Sequence, residues 1–295
     1  MNPPYIISAS RRTDIPAFYS EWFIRRVRAG GLKVRHPFSQ KELKISLNPE
    51  EVVAIVFWTK NFSPMLAHLK ELEERGFLYL IHYTITGLGS SFEPRVPEPE
   101  KSIELFQKLA ERVGKKRIFW RFDPIVITEK IGEEETLERF EKILVNLKNY
   151  TERVYFSFLE LYARVKRRIK YYEKEHQDRV LEPTPAEKEK IAQRLKELAH
   201  RHGLSIYACC EPELVGFGIQ QAHCIDARLV AELSGKNFPS KISPSRRFCG
   251  CYYSLDIGAY DTCPHLCWYC YANNHPQLVK KRYTQHRLEG EYLVE

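Results

Sequence analysis

Short apolar runs rich in β-branched and aromatic residues alternate along this chain with longer charged stretches whose apolar positions recur at helical spacing. The runs predict strands over Tyr5–Ser10, Val52–Trp58, Phe77–Thr86, Arg117–Phe122, Val154–Leu159 and Leu204–Cys209, with a weaker one over Leu32–His36. The stretches between them predict helices over Ile103–Val113, Glu135–Leu147 and Pro185–His202. The last is the best punctuated: Thr184 suits the N-cap, Pro185 the first helical position, and Gly203 ends it. Strand and helix in alternation predict an α/β fold with a mostly parallel sheet, and their number fits a TIM-like (β/α) barrel. Residues 1–208 would form the barrel body, and 209–295 the last barrel elements with a cysteine-rich region over the mouth, together one structural unit.

Polar and ionisable residues follow nearly every apolar run. Arg11, Arg12 and Asp14 follow the first, Lys60 and Asn61 the second, and Thr84 and Thr86 close the third. Arg121 and Asp123, then Glu160, then Cys209, Cys210 and Glu211 complete the series. In a parallel barrel these positions converge on the C-terminal mouth, where active sites form. Any one of them could equally be polar because loops are wet; six in a row favour a site. Arg12, Asp14, Arg121 and Asp123 are the candidate catalytic groups. An arginine offers a planar fork matched to a carboxylate, and Asp14 could orient it; the competing reading is an Arg–Asp pair closing the mouth. Pro124 favours an extended Asp123, aiming its carboxylate in a fixed direction.

With 295 residues, 43% of them hydrophobic, the chain can bury a large core. No apolar stretch approaches the length of a membrane span, so a soluble protein is expected. A net charge of +8 suits an anionic partner, and Arg164–Lys170 followed by Tyr171 and Tyr172 could grip phosphates and stack bases. A solvated helix face beside Glu173, Glu175 and Asp178 is the better reading of that run. Gly87-Leu-Gly89 is a turn rather than a dinucleotide fingerprint, and Glu93–Pro99 reads as a stiff surface loop. Neither a phosphate-binding Walker loop nor a serine elbow is present.

The eight cysteines change the picture most. Cys263, Cys267 and Cys270 form a C-x3-C-x2-C loop with Tyr269 before the last thiol. Three thiolates on one loop can hold three irons of a 4Fe-4S cube and leave the fourth open. Zinc sites more often close with two separated pairs, whereas here the nearest histidine, His265, lies between the thiols. Three close thiols leave one over in any disulfide pairing, and the opening Met-Asn-Pro-Pro-Tyr has no secretory pattern, so a reduced cytoplasm is the expected setting.

This loop, with its aromatic residue before the last cysteine, resembles the cluster loop of radical S-adenosylmethionine (SAM) enzymes. The whole chain resembles the domain of unknown function 1848 family, whose C-terminal cysteines are similar to that loop. The resemblance implies a cluster on Cys263, Cys267 and Cys270, with Tyr269 beside it, whose unique iron chelates the amino and carboxylate groups of SAM. It implies reductive cleavage of the sulfonium to a 5'-deoxyadenosyl radical, supplied with electrons by a donor such as ferredoxin or flavodoxin. Two features differ from the radical SAM pattern: the loop follows nearly all of the chain instead of the first strand, and no Gly-Gly-Glu is present. In a closed barrel the last strand lies beside the first, so a late loop still reaches the mouth that Arg12 and Asp14 face.

Cys209, Cys210, Cys224, Cys249 and Cys251 remain. Cys210, Cys224, Cys249 and Cys251 could form a second four-thiolate site, and the spacing suits a second 4Fe-4S cluster or a structural zinc alike. Glycine in Cys249-Gly-Cys251 lets two thiolates turn toward one metal. Adjacent strand positions face opposite ways, which favours Cys210 as a ligand and Cys209 as a buried bystander. His223 and His265 are read as neighbours that tune these sites and not as ligands. Three functions follow: an iron-sulfur enzyme using SAM; a nucleic-acid-binding protein with structural zinc; or a SAM-independent electron-transfer or sensor protein.

Overall fold

The computed structural model describes residues 3–37 and 39–294. Eight parallel strands form one sheet: β1 (Tyr5–Ala9), β2 (Val52–Thr59), β3 (Tyr79–Thr84), β4 (Ile118–Ile125), β5 (Arg153–Phe158), β6 (Ser205–Ala208), β7 (Ile219–Gln221) and β8 (Leu255–Asp256). Their spatial order is β7-β6-β5-β4-β3-β2-β1-β8, so β1 to β7 follow one another across the sheet in chain order and β8 lies beside β1. Each expected strand of this sheet is present, with ends displaced by one to three residues. The weaker run at Leu32–His36 instead pairs antiparallel, as Gly31–Arg35 against Glu42–Ser46, in a separate hairpin.

The helices crossing between strands are α1 (Ser20–Arg28), α2 (Pro99–Val113), α3 (Glu133–Leu147), α4 (Ala163–His176) and α5 (Pro185–Arg201). Two more, α6 (Ala227–Ser234) and α7 (Pro276–Gln285), flank β8 in the chain. Thr184 caps α5 as its sequence predicts, accepting from the Glu187 N–H while the Glu187 carboxylate accepts from the Thr184 N–H.

Both faces of the sheet are buried, which is why β2 reads as an unbroken apolar run. Ile55 and Phe57 of β2, with Ile81 and Tyr83 of β3, face the helices in one core. Ile6, Val53, Ala54, Val56, Leu80, Phe119 and Tyr155 face a second core, and its other buried members come from residues 209–252, including Ile225, Leu229 and Val230. Here lies the departure from a closed barrel. Among the described residues no ladder joins β7 to β8. Helix α6 and the segment around it lie on the inner face against β2 instead. The two edge strands, only three and two residues long, offer little backbone for a closing ladder. Among the described residues no helix is long and apolar enough to cross a membrane.

Candidate metal centres

The C-terminal ends of β1, β2 and β3 deliver Asp14, Lys60 and, on the following loop, Glu93 to one place, and the cysteine loop lies over them. Asp14 is buried and saturated. One carboxylate oxygen accepts from the Ala17 N–H at 3.0 Å and the Thr59 hydroxyl at 2.8 Å, the other from the Lys60 N–H at 2.7 Å, with His265 Nε2 at 2.8 Å. His265 Nδ1 lies 3.0 Å from the Arg95 carbonyl, so both ring nitrogens are engaged and neither is left for a metal. Lys60 Nζ lies 2.7 Å from Glu93, which also accepts from Thr86 Oγ1 at 2.8 Å and from the Tyr269 hydroxyl. Burial alone would raise the Glu93 carboxyl; the Lys60 charge and these three donors outweigh it and hold the pKa below the ordinary value.

Cys263, Cys267 and Cys270 sit within this frame. Burial pushes the Cys263 thiol well up, followed by the charges of Cys270, Asp14 and Cys267. Burial likewise raises Cys267, reinforced by Glu93 and Cys270 and opposed by Lys60. Three thiols this close resist joint ionisation unless a cation joins them. Their loop is clamped from α4: Arg168 donates to the carbonyls of Leu266 (2.9 Å), Cys267 (2.8 Å) and Trp268 (3.2 Å), and Arg164 to that of Tyr271 (3.1 Å). Asn273 ties down the Cys263 carbonyl at 2.8 Å. Two residues of the basic run are therefore loop supports. Replacing Arg168 by Met leaves three carbonyls without their charged donor, each such bond worth about 1.5–3 kcal/mol. The expected result is a loop more accessible to thiol alkylation, measured by mass spectrometry, with the sheet's circular dichroism unchanged.

The expected pairing of Arg12 with Asp14 is not what forms. Arg12 Nε lies 3.0 Å from Asp256 on β8, which also accepts from Ser8 (2.9 Å), Ser10 (2.6 Å) and the Arg11 N–H (2.9 Å). Asp14 is drawn away because it caps the short helix Ile15–Phe18. Arg11 Nη1 is buried with no hydrogen-bond partner. Arg121 and Asp123 do pair, and Ser157 donates to the same carboxylate.

The remaining cysteines come together on the inner face of the sheet. Cys209 Sγ lies 3.9 Å from Cys210 and 3.6 Å from Cys224. Cys210 also interacts with Cys249, Cys249 with Cys251, and Cys251 with Cys224, so the five sulfurs form a ring. Cys209 is thus a member and not a bystander. Cys210 adopts a left-handed backbone conformation, φ 63°, which breaks strand alternation and turns both neighbouring thiols to one side. The Cys210 and Cys251 thiols hold Cys249 below the usual thiol range despite its burial. Among the described residues no group of three or more His, Cys, Asp or Glu is set to hold a metal ion as it stands. His223 Nδ1 faces the Gly250 carbonyl and stands beside the ring as a support.

The chain matches the family model described as Domain of unknown function (DUF1848) over residues 6–272. It belongs to that family. The DUF1848 match takes in all eight cysteines and ends just beyond Cys270, leaving α7 outside it. No curated protein and no solved structure matches the chain.

Glu93, Asp256 and Arg168 escaped sequence reading as site residues. Arg168 had a signal: it falls on the inward stripe of α4 with Val165, Ile169 and Tyr172. Glu93 and Asp256 carried none, since their partners lie far off in the chain.

Proposed function

We propose that Cys263, Cys267 and Cys270 hold a 4Fe-4S cluster with one open iron, and that the protein is a radical SAM-like enzyme on a barrel left open between β7 and β8. The observation that carries this reading is three mutually interacting thiols, Cys267 buried and Cys263 and Cys270 half-buried, on one clamped loop, while the histidine between them has both nitrogens committed. The thiols suit the cluster: Cys263 and Cys267 are raised by burial and by neighbouring negative charge, and iron would supply the missing positive charge. When bound, such a cluster supplies the electron that cleaves the SAM sulfonium.

The chain's own residues bind and position. Tyr269 and Lys60, joined through buried Glu93, form a stiff floor beneath the loop and fix its distance from the sheet. Arg11, held by Asp256 on one side, keeps Nη1 free for a carboxylate of SAM or of substrate. A cavity of about 380 Å³ lies between the loop and α7, lined by Pro264, Leu266, Val279 and Tyr283. Reducing equivalents would come from a ferredoxin- or flavodoxin-type donor. Engagement of Arg164 and Arg168 with the loop weighs against a phosphate-gripping face there.

The test is iron and sulfide analysis of anaerobically purified protein, with EPR of the dithionite-reduced form before and after SAM addition. A cluster signal that changes with SAM, accompanied by 5'-deoxyadenosine release, is expected. A cluster indifferent to SAM would leave the electron-transfer or sensor reading, and absence of iron would end both.

A further inference from the structure

The ring of five sulfurs is separate from the three-thiol loop, and its surroundings distinguish four of its members from the fifth. Arg246 Nε donates to Cys210 at 3.1 Å and Arg121 Nη1 to Cys224 at 3.1 Å. The Ile225 N–H donates to Cys251 at 3.4 Å and the Ser245 hydroxyl to Cys249 at 3.5 Å. Cys209 has hydrogen-bonding contact only with the other thiols. Donors of this kind, arranged one to each sulfur, orient and stabilise metal-bound thiolates.

We infer that Cys210, Cys224, Cys249 and Cys251 bind a single tetrahedral metal ion of the zinc type. Sulfurs around one ion at a metal–sulfur distance of about 2.3 Å stand about 3.8 Å apart. Cys209 lies 3.6 Å from Cys224 and 3.9 Å from Cys210, so two of the four proposed ligands flank one sulfur at the scale of such a site. A 4Fe-4S cube would interpose four irons and hold its cysteines well beyond contact. Four thiolates around a divalent ion carry a net double negative charge, and Arg121 and Arg246 place two guanidinium charges against it.

The arrangement also gives the ion a task. Cys210 follows β6, Cys224 follows β7, and Cys249 and Cys251 precede β8. One ion would therefore join the two sheet edges that no backbone ladder joins. This inference stands apart from the cluster reading, and the experiment separates them. A variant with Cys263→Ser, Cys267→Ser and Cys270→Ser is purified and analysed for metals, then by zinc X-ray absorption. The expected result is about one zinc per chain, ligated by four sulfurs at about 2.3 Å. Adding Cys249→Ser and Cys251→Ser should reduce zinc to background, whereas adding Cys209→Ser should leave it in place. Iron with sulfide in place of zinc, a nitrogen or oxygen ligand, loss of zinc on Cys209→Ser in a chain with unchanged circular dichroism, or a folded metal-free chain would each overturn the assignment.

Discussion

Replacing Cys267 by alanine is expected to abolish iron-sulfur absorbance and SAM-dependent 5'-deoxyadenosine release together, while the chain stays folded. The side chain is buried among Leu88, Phe92, Val126 and Tyr269, so loss of one sulfur leaves a small cavity costing on the order of 1 kcal/mol. A shift of that size moves the melting temperature by only a few degrees, as differential scanning calorimetry would show. Two thiolates cannot hold a cube that three held with an iron already open, so the loss of cluster should be complete and not graded. Zinc on the five-thiol ring should persist in this variant. Cluster absorbance at the parental level would remove Cys267 from the site.

The second large effect is expected at Glu93. Alanine here removes the acceptor of Lys60, Thr86 and Tyr269 at once and leaves an ammonium buried without its counter-charge. Breaking a buried pair from one side costs about 3–5 kcal/mol, a large fraction of a domain's stability. Glu93→Gln keeps an acceptor and should lose less, although Lys60 still lacks a counter-charge; a double change of Lys60→Met with Glu93→Gln should recover part of the deficit. Chemical denaturation of the four proteins gives these differences directly. The same pair has a pH signature. The Glu93 carboxyl titrates below its ordinary value in the fold, so its contribution is complete above the unfolded carboxylate pKa of about 4.3 and is lost as pH falls through the lower folded value. The parent should therefore lose stability more steeply than Glu93→Gln on acidification below about pH 4.5. Parallel acid limbs for the two proteins would show that the pair contributes nothing.

Local pattern carried the reading a long way. The short apolar runs of the strands and the helical period between them give the order of elements, because both depend on residues within a few positions of one another. The capped start of α5 and the C-x3-C-x2-C loop are legible for the same reason. What the sequence by itself determined is therefore the parallel α/β sheet, the strand ends that carry polar groups, and the presence of two sets of thiols.

The tertiary structure decided the partners. Arg12 is 244 positions from Asp256, and Asp14 is 251 from His265. No local rule pairs groups so far apart, and charge type alone made Asp14 as good a partner for Arg12 as any. The left-handed conformation at Cys210 brings Cys209 into contact with the other thiols, because strand alternation fails where the strand has ended. Whether the sheet closes was likewise decided in three dimensions: the inner face is filled by α6 and residues around it, and the competition between that packing and a last backbone ladder depends on shape and burial, which a linear pattern does not record.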